Sequence, residues 1–253
     1  MTWASALALS VAVAAAAGLV GCFAVMRRMS LASDAMAHVA LPGIGIALAL
    51  HVHPILGGMA MLLLGALLIW TLEQRTRIST ETIIGVVFSA ALAAGSMLAT
   101  GDELIEALLG ATGALTASEV ALGLAGSVAV IAFILTQRNR LVLSLVSADI
   151  ARTSGIDVAR LDLLYLLAFA VTVGLGLRYL GVLLMGSLVI IPAATAKILA
   201  RNLDGMLGIA VAVAVLSTVT GEYLAAHLQR TTGPVIIAIA AGLFFAASFV
   251  RRR

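Results

Sequence analysis

Apolar runs of about 18 or more residues recur along the whole chain, separated by short polar breaks. Each run is long enough to cross a bilayer as a helix. They fall at about residues 3–26, 30–50, 55–72, 80–100, 119–136, 161–177, 180–199, 205–226 and 234–250. The alternating in/out pattern of a membrane barrel is absent. The pattern therefore predicts an all-α, polytopic membrane protein with roughly eight to nine transmembrane helices. Residues 104–116 form an apolar segment too short to span, read as a re-entrant or interfacial helix. Pro42 and Gly43 interrupt the second run and predict a kink or an unwound turn there, and Pro192 predicts a bend in the seventh.

Composition agrees: 62% of the 253 residues are hydrophobic and 11% are charged. The net charge of +3 matters less than its placement. Basic residues gather at Arg27–Arg28, Arg75–Arg77, Arg138–Arg140, Arg152 and Arg160, Lys197 and Arg201, and Arg251–Arg253. These breaks lie on alternate sides of successive spans and define one face, the cytoplasmic one. Arg178 and Arg230 fall on the other. The reading places the N-terminus outside and the C-terminus in the cytoplasm. The basic clusters orient the chain in the lipid membrane and do not imply nucleic acid. Cys22, the single cysteine, sits in an apolar run as a small core residue. No linker or internal repeat divides residues 1–253, so one transmembrane domain is expected.

The second run carries the chemistry. Asp34 and His38 lie four positions apart, hence on one helix face one turn apart. A charge near a bilayer centre costs at least about 2.5–3.5 kcal/mol, and spans that keep one usually use it. Oxygen and nitrogen ligands together suit zinc or manganese. The alternative is a buried polar pair bonded to neighbouring helices. Two ligands are too few for zinc, which usually takes four, so two copies meeting at a twofold axis would have to share an ion.

Other groups carry less. His51 and His53 flank the outer turn before Pro54 and are weak candidates for outer metal contacts. Asp102, Glu103 and Glu106 could draw cations by their field, or simply solvate a loop. Residues 141–160 form an amphipathic, polar-bearing stretch on the inner face, with Gly155 a helix stop and room for a cytoplasmic partner. A Walker A loop needs Gly-Lys-Ser/Thr, but the only lysine, Lys197, follows Ala196. An ATPase, if one drives this chain, is a separate subunit, and the chain is not itself an enzyme.

The segment from Arg27-Arg-Met-Ser-Leu to Asp34-Ala-Met-Ala-His38-Val-Ala-Leu-Pro-Gly43 resembles the signature of bacterial metal-ion ABC permeases, the zinc/manganese uptake family. The likeness continues in Glu81-Thr-Ile-Ile-Gly85-Val-Val-Phe-Ser89 and Ser147-Ala-Asp149-Ile-Ala-Arg-Thr-Ser-Gly155. It resumes in Gly181-Val-Leu-Leu-Met-Gly-Ser-Leu-Val-Ile-Ile-Pro192-Ala-Ala-Thr-Ala196 and ends at Gly233-Pro234. Ser33 stands where the family often has glycine, and His51-Val-His53 is not a family feature.

The resemblance implies a homodimeric permease with a type II ABC importer-like fold in the bacterial inner membrane. Its partners would be a cytoplasmic ABC ATPase and an extracytoplasmic metal-binding protein. The family's intramembrane metal residues fall on Asp34 and His38. Its ATPase coupling segment falls on Ser147, Asp149, Ile150, Arg152 and Gly155. No cofactor is implied beyond the transported ion, Zn2+ by a mild preference for the zinc branch, with Mn2+ or Fe2+ as alternatives. The rival from another class is an ATP-independent channel or a proton-coupled carrier that uses Asp34 and His38 as a relay.

Overall fold

The computed structural model describes residues 3–29, 32–76, 78–98, 116–180 and 182–250. The described residues form helices and no strand. In chain order they are α1 Trp3–Met26, α2 Ala32–Ala49, α3 Pro54–Arg75, α4 Thr80–Leu98 and α5 Ala117–Val146, followed by α6 Ala148–Thr153, α7 Val158–Leu180, α8 Val182–Leu199, α9 Leu203–Leu228 and α10 Thr232–Val250. Eight of these are long and apolar enough to cross a membrane, and the apolar stretch Met185–Leu199 of α8 is a shorter ninth. The expected short helix at 104–116 and the acidic turn with Asp102, Glu103 and Glu106 lie outside the described residues.

α1 sits at the centre. It packs against α5, α7, α8 and α9, and its Val13, Ala14, Ala16, Ala17, Val20 and Phe23 are fully buried. Small residues let backbones meet there, as membrane packing favours. A Cβ at Gly21 would overlap the carbonyl of Val189 on α8, and one at Gly18 would come 2.9 Å from the Ala210 oxygen on α9. α2 forms a second centre with α3, α4, α7 and α8. α5, α10 and much of α3 and α4 turn apolar side chains outward, among them Leu64, Val86, Leu122 and Phe245, where lipid would cover them.

One end of the bundle gathers the basic breaks. Arg27 pairs with Asp162 at 2.6 Å, Arg138 pairs with Asp204, and the Trp70 indole donates to the Ala159 carbonyl at 2.8 Å. These contacts place the ends of α1, α3 and α5 beside the starts of α7 and α9, as the charge pattern requires.

The two prolines sit within continuous helices, and one boundary is corrected. α2 runs unbroken through Pro42 and Gly43. Pro42 packs near Gly95 of α4, and Gly43 lies against Gly57 of α3 so closely that a Cβ on either would overlap the other's carbonyl. The pair serves close packing, not unwinding. α8 likewise runs through Pro192. The fifth span does not stop at Gln137-Arg-Asn-Arg140. α5 continues to Val146, and its 30 residues make about 45 Å, longer than a bilayer core is thick. The arginines ride on the continuing helix, with Arg138 paired to Asp204. A capping box at the other end starts it: Thr116 Oγ1 accepts from the Glu119 amide, and the Glu119 carboxylate accepts from the Thr116 amide.

Candidate transport site on the second helix

Asp34 and His38 lie on α2, and i, i+4 neighbours on a helix sit about 6 Å apart. Asp34 belongs to the first turn, where the helix dipole favours a carboxylate by about 0.3–1 kcal/mol. One side of that turn packs into the bundle and the other, with Asp34, is open. Ser33, fully buried, donates from Oγ to the Gly186 carbonyl of α8 at 3.3 Å. Gly186 lies 13 residues before the end of α8 at Leu199, about 20 Å along that helix. The residue that departs from the family's glycine is thus a cross-helix anchor.

The neighbours of the pair differ. Asp34 rests over Gly186, where an added Cβ would come within 3.2 Å of the Asp34 Cβ and 3.3 Å of its Cα and Oδ1. Its carboxylate side is exposed in the single chain. His38 is half-buried, with the ring of Phe88 on α4 edge-on at 5.5 Å. Its Nδ1 is buried and has no hydrogen-bond partner among the described residues. A buried nitrogen left unpaired costs about 1–3 kcal/mol, which a cation would relieve. Among the described residues no group of three or more His, Cys, Asp or Glu side chains is placed to hold a metal. One chain therefore offers a two-residue half-site that opens outward.

The other sequence candidates stand apart from this pair. His51 and His53 are exposed on the turn between α2 and α3. From Asp34 to His51 is 17 residues, about 25 Å along α2, so the histidines belong to no common site with it. His51 holds a positive φ of 54°, a turn conformation that closes the end of α2.

The predicted docking segment forms a short helix of its own. Ser147 ends α5 and caps α6, accepting from the Ile150 amide at 3.3 Å. Gly155, at φ +79°, ends it, and the Ile156 amide reaches back to the Ala151 carbonyl at 3.0 Å. Ala151 is fully buried against the bundle. Ile150 is 55% exposed, and Asp149 and Arg152 form an exposed pair at 3.3 Å. Sequence reading had not singled out Gly186, Phe88 or Asp162. Gly186 lay within a quoted motif, but nothing in the sequence pairs it with Ser33.

Eight helices long and apolar enough to cross a membrane, a shorter apolar ninth, and an ionisable pair on an open face of the second helix define a multi-pass membrane protein. The chain belongs to the ABC 3 transport family, whose model matches residues 1–251. It is 28% identical over 238 residues to the high-affinity zinc uptake system membrane protein ZnuB of Haemophilus influenzae, covering 92% of this chain and 91% of that one. It is 30% identical over 249 residues to the manganese transport system membrane protein MntC of Halalkalibacterium halodurans, covering 96% and 85%. The fold matches PsaBC from Streptococcus pneumoniae in complex with Fab, with a TM-score of 0.81 and 26% identity over 96% of this chain and 89% of that one.

Proposed function

We propose that this chain is the membrane permease of an ATP-driven importer of divalent metal ions, with zinc as the substrate, in the bacterial inner membrane. The observation that carries the reading is the Asp34–His38 half-site, whose buried imidazole Nδ1 has no hydrogen-bond partner among the described residues. Two copies of the chain facing each other would supply two carboxylates and two imidazoles, the four ligands zinc takes. The ion would arrive from an extracytoplasmic binding protein and rest between the copies. ATP binding and hydrolysis in a separate cytoplasmic ATPase, docked on Ser147–Gly155, would reorient the helices. The permease itself performs no covalent chemistry. Its N-terminus would lie outside and its C-terminus in the cytoplasm, as the arginine breaks demand. His51 and His53, with Asp102, Glu103 and Glu106, would at most collect cations at the outer mouth.

The zinc-system and manganese-system relatives support a metal substrate alike. Manganese or iron carried by the same architecture is the second reading, since carboxylate ligands also suit harder ions. Proteoliposomes holding the permease, its ATPase and its binding protein test the proposal. Zinc should accumulate only with ATP inside the reach of the ATPase, and ahead of manganese and iron at equal concentration. Accumulation without ATP would instead point to a channel or a proton-coupled carrier.

A further inference from the structure

Arg27, just past the end of α1, is bound to the helix that follows the docking segment. The Arg27 guanidinium donates to Asp162 Oδ1 at 2.6 Å and lies 4.5 Å above the centre of the Tyr165 ring. Tyr165 is itself fully buried and donates from its hydroxyl to the Val20 carbonyl of α1 at 3.1 Å. The side chains of Arg27 and Asp162 are only 10% and 18% exposed. A pair so sheltered is a costly feature unless it has a use, because desolvation offsets much of its attraction.

The pair also joins two segments that have separate roles. On one side, Gly155 closes α6 and Asp157 opens α7, accepting from the Arg160 amide at 3.0 Å, so Asp162 stands just over one turn into α7, nine residues past the end of α6. Trp70 of α3 holds the same first turn of α7 through Ala159. On the other side, Arg27 ends α1 in a tight turn: the Met29 amide reaches the Ala24 carbonyl at 2.8 Å, and the Ala32 amide reaches Met29 at 3.0 Å. Ser33 and Asp34 follow at once. A displacement of α6 therefore meets α7 first, then Arg27, then the first turn of the helix that carries the half-site.

We infer that Arg27 and Asp162 form a positioning clamp that couples the docking helix to the first turn of α2, so that movement at Ser147–Gly155 shifts Asp34. The inference rests on the importer reading above. Neither residue belongs to the proposed Asp34–His38 half-site. Arg27 was legible in the sequence as one of the inner arginines, but its partner, six residues into a charged-then-apolar stretch, was not.

The test uses the complete importer in proteoliposomes and reads metal moved per ATP hydrolysed. Removing one charge would leave the other buried and could unfold the chain. The informative variant is therefore the double one, Arg27→Met with Asp162→Leu, which leaves no unpaired charge. It should assemble with the ATPase and hydrolyse ATP, yet move about tenfold less metal per ATP, the scale of coupling such contacts carry. Arg27→Lys keeps the charge but loses the planar fork, and should lower the ratio about threefold. If the double variant does not assemble, the lysine variant decides alone. A ratio equal to wild type in whichever variant assembles would overturn the clamp. A wild-type complex that hydrolyses ATP and moves no metal would remove the importer reading itself, and the clamp with it.

Discussion

Ser33 on α2 and Gly186 on α8 are joined by a hydrogen bond of 3.3 Å, and that bond seats Asp34 directly over a residue without a side chain. The contact fixes both the depth and the direction of the carboxylate. Any side chain at position 186 must push it.

Gly186→Ala would apply that push directly. The new methyl would sit 3.2–3.3 Å from Asp34, tighter than ordinary contact, and the backbone of α2 would have to give by a few tenths of an ångström. Losses from disturbed supports of a metal ligand run at 10–100-fold, so zinc uptake should fall about tenfold with the protein still in the membrane. Gly186→Val should abolish it. Uptake at wild-type rate in Gly186→Ala, at equal expression, would mean that the position of Asp34 is unimportant.

Glycines of this chain divide by their neighbours, which gives a paired stability test. At Gly43 and Gly57 an added Cβ overlaps the facing backbone carbonyl, which cannot move aside as a side chain can. Alanine at either should cost about 1–3 kcal/mol. At Gly85 and Gly208 nothing lies within 4 Å, and alanine there should gain about 0.5–1 kcal/mol of helix propensity. Thermal unfolding of the purified protein in mild detergent reads both directions.

The docking role proposed for α6 predicts a separation of assembly from folding. Ile150→Asp puts a charge on the 55% exposed apolar tip and should remove ATPase co-purification while the permease accumulates normally. Gly155→Ala forces a residue with a Cβ into φ +79°, costing about 1–2 kcal/mol, and should weaken co-purification in part. Full ATPase recovery with Ile150→Asp would place the docking surface elsewhere.

The bundle was legible in the sequence because a bilayer enforces it: every span must be apolar for about 20 residues, and every inner break keeps its arginines. Asp34 and His38 were legible for the same reason, since two ionisable residues in such a run stand out and their spacing sets the shared face. What surrounds them was not. The Ser33–Gly186 bond joins residues 153 apart, and the Phe88 ring reaches His38 from a different helix. No periodicity records such partners. The end of α5 was misplaced because Arg138 and Arg140 look like a loop, whereas the helix simply continues with Arg138 held by Asp204. Pro42 does not unwind its helix. Proline lacks one amide hydrogen, but the surrounding helices supply the packing that keeps α2 continuous.

The most direct test of the account is zinc uptake by cells that depend on this chain, with Asp34→Ala and His38→Ala compared at matched membrane levels. Uptake of radiolabelled zinc should fall at least about tenfold in each variant, because either one leaves the half-site with a single ligand. Zinc uptake at the wild-type rate in both would contradict the central claim that this pair holds the transported ion.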